Sequence, residues 1–186
     1  LHTQAENSDS DVLLTLEATP NGSSQTMILV DNLIEGTANS DELSGTTQSD
    51  RIDGKQGNDS LIGSQNDDLL IGAQGRDILV GVWGDDWLDG GAENDWLDGG
   101  LGNDLIFSGE GEDLIVLRNQ WGTDTIWSFS SGSDRFALVD GLTFEQLSIT
   151  ESQQGISISI TDSGKQLAIL TGDIPESLTP DDFVVL

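Results

Sequence analysis

The sequence predicts an all-β protein built around a right-handed parallel β-roll with a cap at each end. Three observations support this fold. Residues 36–116 are one nonapeptide repeated nine times without an insertion. The sixth residue is aspartate in every unit, and the eighth is leucine or isoleucine in every unit. A fixed short period of this kind is typical of a solenoid, in which each repeat buries its apolar residue by stacking on its neighbours.

Each unit combines a turn with a short strand. The first residue is glycine in eight units, with Ser108 as the exception, and glycine adopts positive φ at little cost. The last three residues predict a strand whose central side chain points opposite to its neighbours. Two units then make one 18-residue turn, so that odd units form one sheet and even units a second. The eighth residues fill the space between the sheets: Leu43, Ile52, Leu61, Leu70, Leu79, Leu88, Leu97, Ile106 and Ile115.

The sixth residues predict two ladders of carboxylates. Successive turns stack about 4.8 Å apart, so each aspartate lies over the aspartate two units further on. Carboxylates at that spacing repel strongly unless a cation lies between them. Carboxylate and backbone carbonyl oxygens suit Ca²⁺. The odd ladder contains Asp41, Asp59, Asp77, Asp95 and Asp113, and the even ladder contains Asp50, Asp68, Asp86 and Asp104.

The repeat resembles the RTX nonapeptide G-G-x-G-x-D-x-U-x of calcium-binding parallel β-rolls, and it covers 81 of 186 residues. The resemblance implies that each Ca²⁺ lies between loops two units apart, held by aspartate side chains and loop carbonyls. Up to seven ions are implied, at the pairs Asp41 with Asp59, Asp50 with Asp68, Asp59 with Asp77, Asp68 with Asp86, Asp77 with Asp95, Asp86 with Asp104, and Asp95 with Asp113. At the fourth position, Asn39 and Asn66 tolerate the left-handed conformation, whereas Gln48 and Glu93 depart from the pattern. A disordered Gly/Asp-rich linker is the alternative, but disorder does not require nine leucines or isoleucines in one phase.

Composition agrees with a calcium-dependent fold. Asp and Glu number 34 against 6 Lys and Arg, for a formal net charge of −28. Such an acidic chain is expected to avoid nucleic acid and anionic membranes. Repulsion should hold the metal-free chain open, so metal binding would supply folding free energy. The absence of cysteine excludes a disulfide framework and thiol chemistry.

Residues 1–35 are predicted to form an N-terminal cap, because the end of a solenoid exposes core and unpaired strand edges. Strands are expected at residues 12–17 and 27–30. No basic segment precedes a long apolar run, so neither a signal peptide nor a membrane span is predicted.

The roll is predicted to continue to residue 137 in two degenerate units. Residues 119–127 and 129–137 resemble a tenth and an eleventh repeat, with Asp124 and Asp134 at the sixth position. Either aspartate is a terminal calcium ligand or part of a capping turn. Aromatic residues are predicted to close the end of the roll: Trp121, Trp127, Phe129 and Phe136.

Residues 138–186 are predicted to form a C-terminal cap. A helical turn is expected at residues 143–147, and a hairpin should join residues 156–160 to residues 166–170. The end of the chain, an acidic pair followed by an apolar run, resembles the uncleaved C-terminal signal of type I secreted RTX proteins. That resemblance implies the type I secretion machinery as a partner and a secreted or cell-surface location.

The outward positions of the roll, seventh and ninth in each unit, are mostly apolar beyond the first units. Leu69, Ile71, Trp87, Leu105 and Phe107 should share the even outer face. Ile62, Ile78, Val80, Trp96, Leu114 and Val116 should share the odd outer face. At least one face is expected to be covered by the chain's own flanks, by a second copy in a homo-oligomer, or by a protein partner.

The sequence does not predict an enzyme. The sole histidine is His2, and there is no H-E-x-x-H motif and no cysteine nucleophile. Composition alone does not exclude a glycosidase that uses two catalytic carboxylates, although metal binding already accounts for the aspartates. We therefore predict a calcium-binding folding and secretion module of a larger protein. The alternative is an autonomous extracellular binding or self-assembly protein that uses the apolar faces.

Overall fold

Two sheets of mostly parallel strands face each other in this computed structural model, which describes residues 12–16, 25–29, 32–119, 122–152, 155–172 and 175–186. In chain order the strands are β1 Val12–Leu16, β2 Gln25–Leu29, β3 Asn32–Glu35, β4 Glu42–Ser44, β5 Asp50–Asp53, β6 Ser60–Gln65, β7 Leu69–Gln74, β8 Ile78–Trp83, β9 Trp87–Ala92, β10 Trp96–Leu101, β11 Leu105–Phe107, β12 Leu114–Leu117, β13 Asp124–Trp127, β14 Arg135–Leu138, β15 Leu147–Ser152, β16 Gly155–Ile160, β17 Gln166–Thr171 and β18 Phe183–Val185.

The strands of odd and even units separate into two sheets. The odd sheet has the order β4-β6-β8-β10-β12-β14-β18, and the even sheet has the order β3-β5-β7-β9-β11-β13-β17-β16-β15. Leu43 lies opposite Leu61, and Ile52 lies opposite Leu70, so partners are one 18-residue turn apart. The predicted parallel β-roll, with two units in each turn, is confirmed.

The eighth residues of the repeat form the core. From Ile52 to Ile115 they are fully buried, and Leu43 packs partly buried against them at the N-terminal end. Burial of each such side chain contributes about 1.5–3 kcal/mol. The row of leucines and isoleucines therefore holds the two sheets together along the whole repeat.

The roll begins before the first nonapeptide. β3 pairs in parallel with β5, and Asn32 lies opposite Asp50, so the even sheet gains a strand from within the predicted N-terminal cap. β1 and β2 form a separate antiparallel pair in which Val12 lies opposite Leu29, close to the two strands predicted there.

At the C-terminal end both sheets continue past the repeats. β17 pairs in parallel with β13, and β18 pairs in parallel with β14. The predicted hairpin is present as β16 and β17, with Ile156 opposite Leu170. The described helical segments are two three-residue 3-10 turns, Phe144–Gln146 and Pro180–Asp182, and neither has the length or apolar content to cross a membrane.

Aromatic rings close the C-terminal end of the core. Phe136 stacks between Phe129 and Phe183, with ring centroids 4.5 and 5.4 Å apart. Phe129 and Phe136 therefore lie where they were predicted. The prediction for Trp127 is wrong: it stacks on Phe107 on the even outer face, because its neighbour Ile126 takes the inward position. Trp121 lies outside the described residues.

The even outer face is partly covered by its own side chains. Trp87, Phe107 and Trp127 form a stack, with centroids 5.3 and 5.9 Å apart along it. Leu69 and Leu105 are only 4% and 8% exposed. β15 and β16 extend this sheet at its edge and do not lie across it. On the odd outer face, Ile62 and Ile78 remain 39% and 47% exposed.

Candidate metal ladders

The sixth residues form two hydrogen-bonded ladders. In each rung, one carboxylate oxygen, Oδ1, accepts a hydrogen bond from the backbone N–H of the aspartate one turn earlier. The N to Oδ1 distances are 2.7–2.9 Å for the seven rungs from Asp59 to Asp113. The ladders continue at 3.2 Å to Asp124 and at 3.1 Å to Asp134. One oxygen of each carboxylate from Asp59 to Asp113 is therefore used to join successive turns.

The second oxygen of these carboxylates, Oδ2, is buried and has no hydrogen-bond partner among the described residues. This holds for the sixth-position aspartates of seven successive units: Asp59, Asp68, Asp77, Asp86, Asp95, Asp104 and Asp113. A buried carboxylate oxygen without a partner costs free energy. A row of seven such oxygens is the strongest indication in the molecule that cations belong beside them.

Burial raises the pKa of the seven ladder carboxyls from Asp59 to Asp113, because the charged form is removed from water. The pKa of Asp68 is raised to about 7, and the pKa values of Asp86 and Asp95 to about 8. The hydrogen bond from the backbone N–H lowers each pKa, but neighbouring carboxylates raise it again. A bound cation would stabilise the ionised form and reverse this shift.

The pKa values of Asp104 and Asp124 are also raised, chiefly by burial. The backbone N–H of Asp104 donates to Asp124 Oδ1 at 3.2 Å. Asp124, the sixth residue of the degenerate tenth unit, therefore continues the hydrogen bonds of the even ladder.

The glycine at the first position leaves room beside Oδ2. A Cβ on Gly63 would lie 2.5 Å from Asp68 Oδ2 and 2.8 Å from the carbonyl oxygen of Gly81. A Cβ on Gly72 would likewise lie 2.5 Å from Asp77 Oδ2 and 2.6 Å from the carbonyl oxygen of Gly90. Carboxylate and carbonyl oxygens thus converge on a space that a side chain would fill. This is a hard oxygen donor set, and it fits Ca²⁺.

The backbone of units three to nine repeats one curled conformation. The second residue has positive φ in all seven units, at Lys55, Ser64, Ala73, Val82, Gly91, Gly100 and Gly109. The fourth residue also has positive φ in all seven, at Gly57, Asn66, Gly75, Gly84, Glu93, Gly102 and Gly111. Glu93 therefore keeps the conformation despite its departure from glycine. In the part of the chain that the structure describes, no three acidic side chains converge, so backbone carbonyls would complete any metal shell.

The first two aspartates of the ladders differ from the others. Asp41 Oδ2 and Asp50 Oδ2 each accept hydrogen bonds from within their own units, from Thr37 and Thr46 respectively. Neither Asn39 nor Gln48 has positive φ. The repeat pattern did not distinguish these two units, although the threonine at their second position was the visible signal.

Sequence comparison agrees with the geometry. Residues 31–59, 44–79 and 80–115 match the RTX calcium-binding nonapeptide repeat family, in four copies. Residues 31–115 are RTX calcium-binding repeats. The resemblance predicted from the nonapeptide is thereby confirmed, and the RTX repeats of this chain form a calcium-binding β-roll module.

Two solved structures illustrate what the chain is similar to. The extracellular lipase LipA from Serratia marcescens is 13% identical with a TM-score of 0.44; the match covers 84% of this chain and 40% of the lipase chain. The AlgE6R3 subunit of the mannuronan C5-epimerase from Azotobacter vinelandii is 25% identical with a TM-score of 0.33; the match covers 80% of each chain. The chain thus spans well under half of the lipase. A comparison with curated proteins finds no match.

Proposed function

We propose that this chain is the calcium-dependent folding module of a secreted or cell-surface protein, and that Ca²⁺ held by the two aspartate ladders drives its folding. The observation that carries the proposal is the row of seven buried Oδ2 atoms from Asp59 to Asp113, which have no hydrogen-bond partner in the part of the chain that the structure describes. Calcium would supply positive charge beside these oxygens. The chain's own residues supply the carboxylates, the curled carbonyls and the glycines that leave room.

The charge of the chain supports the same conclusion. The formal net charge is −28, and the ladder aspartates from Asp50 to Asp113 are buried. Without cations, folding would bring these carboxylates together at the strand spacing of about 4.8 Å. Extracellular calcium modules have dissociation constants of about 0.1–1 mM. Such a module would stay open where calcium is scarce and fold outside the cell.

Export through a type I secretion system is part of this proposal. RTX repeats are typical of secreted proteins. The acidic pair and apolar run at residues 178–186 support an export signal in this segment. We propose no catalytic role for the chain. Fusion of the chain to an unrelated reporter tests export. Secretion by a type I system should require residues 178–186, and equal export of a fusion lacking them would contradict the proposal.

Circular dichroism and calcium counting by native mass spectrometry test the folding function. In excess EDTA the chain should be largely unfolded, and at ~1 mM Ca²⁺ it should gain β structure and bind several ions. Mg²⁺ should substitute poorly, because it requires a smaller octahedral shell and releases water reluctantly. A full β-sheet spectrum in EDTA would contradict the proposal.

A second candidate function is self-association or binding of another protein through the odd outer face. The exposed Ile62 and Ile78 favour it, because exposed apolar side chains that lie together often mark a contact surface. Sedimentation in saturating Ca²⁺ tests self-association. A concentration-independent monomer mass for the wild type, together with the same mass for Ile78→Lys, would exclude self-association.

A further inference from the structure

In each of the first two repeats, a threonine donates hydrogen bonds to the Oδ2 oxygen of the aspartate in the same unit. Thr37 donates to Asp41 Oδ2 from its backbone N at 2.7 Å and from Oγ1 at 2.9 Å. Thr46 donates to Asp50 Oδ2 from its backbone N at 2.5 Å and from Oγ1 at 3.0 Å. The equivalent oxygen is the one without a partner in the next seven units of the described chain.

The same threonine hydroxyls hold the rest of each loop. The backbone N–H of Asn39 donates to Thr37 Oγ1 at 3.2 Å, and that of Gln48 donates to Thr46 Oγ1 at 3.1 Å. Each hydroxyl thus donates to the aspartate and accepts from the fourth residue of the unit. The threonine hydroxyl therefore links the aspartate side chain to the backbone of the fourth residue. In the later loops these two groups border the open space beside Oδ2.

Neither the hydroxyl nor the branching of the side chain separates the two kinds of loop by itself. Ser64 carries a hydroxyl at the second position, yet it has φ of 97° and Asp68 Oδ2 lacks a partner in the described residues. Val82 is β-branched like threonine, yet it adopts φ of 87° at the second position and Asp86 Oδ2 lacks a partner in the described residues. Threonine combines both features, and among the second residues of the nine units only Thr37 and Thr46 do so. Thr37 and Thr46 do not have positive φ. Threonine oxygen can hydrogen-bond the local backbone, which favours a closed turn of this kind.

We propose that units one and two bind no calcium and form a metal-independent end of the roll, in which the hydroxyls of Thr37 and Thr46 take the place of the ion. Calcium binding then begins with the Asp59 and Asp68 rungs. This inference rests on the proposed function. It removes the pairs Asp41 with Asp59 and Asp50 with Asp68, so five of the seven implied pairs remain in the regular repeats.

Calcium counting on the full chain tests this inference with one matched pair of variants. Asp50→Asn and Asp68→Asn change successive rungs of the same ladder. Native mass spectrometry at saturating Ca²⁺ should give the wild-type number of ions for Asp50→Asn and at least one fewer for Asp68→Asn. Loss of an ion from Asp50→Asn would overturn the inference while leaving the proposed function intact. A wild type that binds no calcium would overturn the proposed function, and this inference with it.

A gain-of-function variant gives an independent test that does not depend on the folding of Asp68→Asn. Thr46→Gly combined with Gln48→Gly removes the hydroxyl and lets the second loop take the conformation of unit three. Asp50 Oδ2 then loses its donors, so the double variant should bind one more calcium ion than the wild type. A wild-type ion count in this variant, with a wild-type circular dichroism spectrum, would show that the threonines do not exclude the ion.

Discussion

The backbone N–H of Asp59 donates to Asp77 Oδ1 at 2.8 Å, while Asp77 Oδ2 is buried without a partner in the described part of the chain. A single carboxylate therefore joins two turns of the roll through one oxygen, and its other oxygen is the one that would bind calcium under the proposed function. The calcium affinity at each aspartate should depend on how many ladder neighbours that aspartate has.

Asp77→Asn should raise the calcium midpoint of folding more than Asp41→Asn does. Asp77 has carboxylates one turn away on both sides, Asp59 and Asp95. Loss of a charged ligand there should cost about 1.5–3 kcal/mol, or roughly ten- to a hundredfold in calcium affinity. Asp41 lies at the end of its ladder and is held by Thr37. Circular dichroism during calcium titration measures both midpoints, and equal shifts would count against the observed stacking register.

Folding should respond to pH in opposite ways with and without calcium. In the metal-free fold burial raises the pKa of Asp77 to about 6, of Asp68 to about 7 and of Asp95 to about 8. The unfolded carboxyls titrate at about 3.9. A group with a raised folded pKa stabilises the fold fully below the unfolded pKa, and that stabilisation is lost as pH rises through the folded pKa. The metal-free roll should therefore lose stability from about pH 4 to about pH 8.

Calcium binds the ionised carboxylates, so its affinity for the folded roll should increase over the same pH range, and binding to the folded roll should release protons. Calcium titrations between about pH 5 and about pH 8, repeated in two buffers of different ionisation enthalpy, measure the affinity and the proton release. A calcium midpoint that does not change over this range would contradict the raised pKa values.

Trp87→Lys should destabilise the folded monomer rather than dissociate an oligomer. Trp87 stacks on Phe107 within the same chain, and the nearby Leu69 is almost fully buried. Loss of the ring contact and of the covered apolar surface should cost about 1–3 kcal/mol. Thermal unfolding at saturating Ca²⁺ measures this cost, and sedimentation measures the mass. Wild-type stability with a smaller mass would instead show that a second copy covers this face.

Asp182→Asn should weaken the C-terminal closure of the roll. Asp182 is buried and accepts hydrogen bonds from Thr179 N at 2.7 Å, Thr179 Oγ1 at 2.9 Å and Ser131 Oγ at 2.6 Å. Burial raises the pKa of Asp182, but these hydrogen bonds outweigh burial and lower it overall. The substitution should cost about 2–3 kcal/mol, seen as a lower melting temperature in saturating Ca²⁺.

Asp181→Asn is the matched control for this prediction, because Asp181 is adjacent and exposed. It should leave the melting temperature unchanged. If both substitutions lowered the melting temperature equally, the effect would come from the charge of the segment and not from the hydrogen bonds of Asp182.

The strict period made most of the roll predictable. Because every rung repeats the one before it after 18 residues, the period assigned Leu61 to the core, Asp59 to a ladder and Trp87 to the outer face before any contact was known. Translation along the roll then set the strand order and the register together. The same argument predicted calcium binding, because stacked carboxylates repel one another unless a cation lies between them.

The features outside this period depended on contacts that only the folded chain forms. Gln48 and Glu93 look equally foreign at the fourth position, yet Glu93 has φ of 81° and Gln48 does not have positive φ. The difference arises because Thr46 closes its loop through hydrogen bonds, whereas unit seven has Gly91 at the second position. In the same way, β17 pairs with β13 and β18 pairs with β14, and the two strands of each pair are far apart in sequence. A repeat pattern specifies position within a turn, but the hydrogen bonds of a single side chain and the pairing of a last strand are settled by what lies next to them in space.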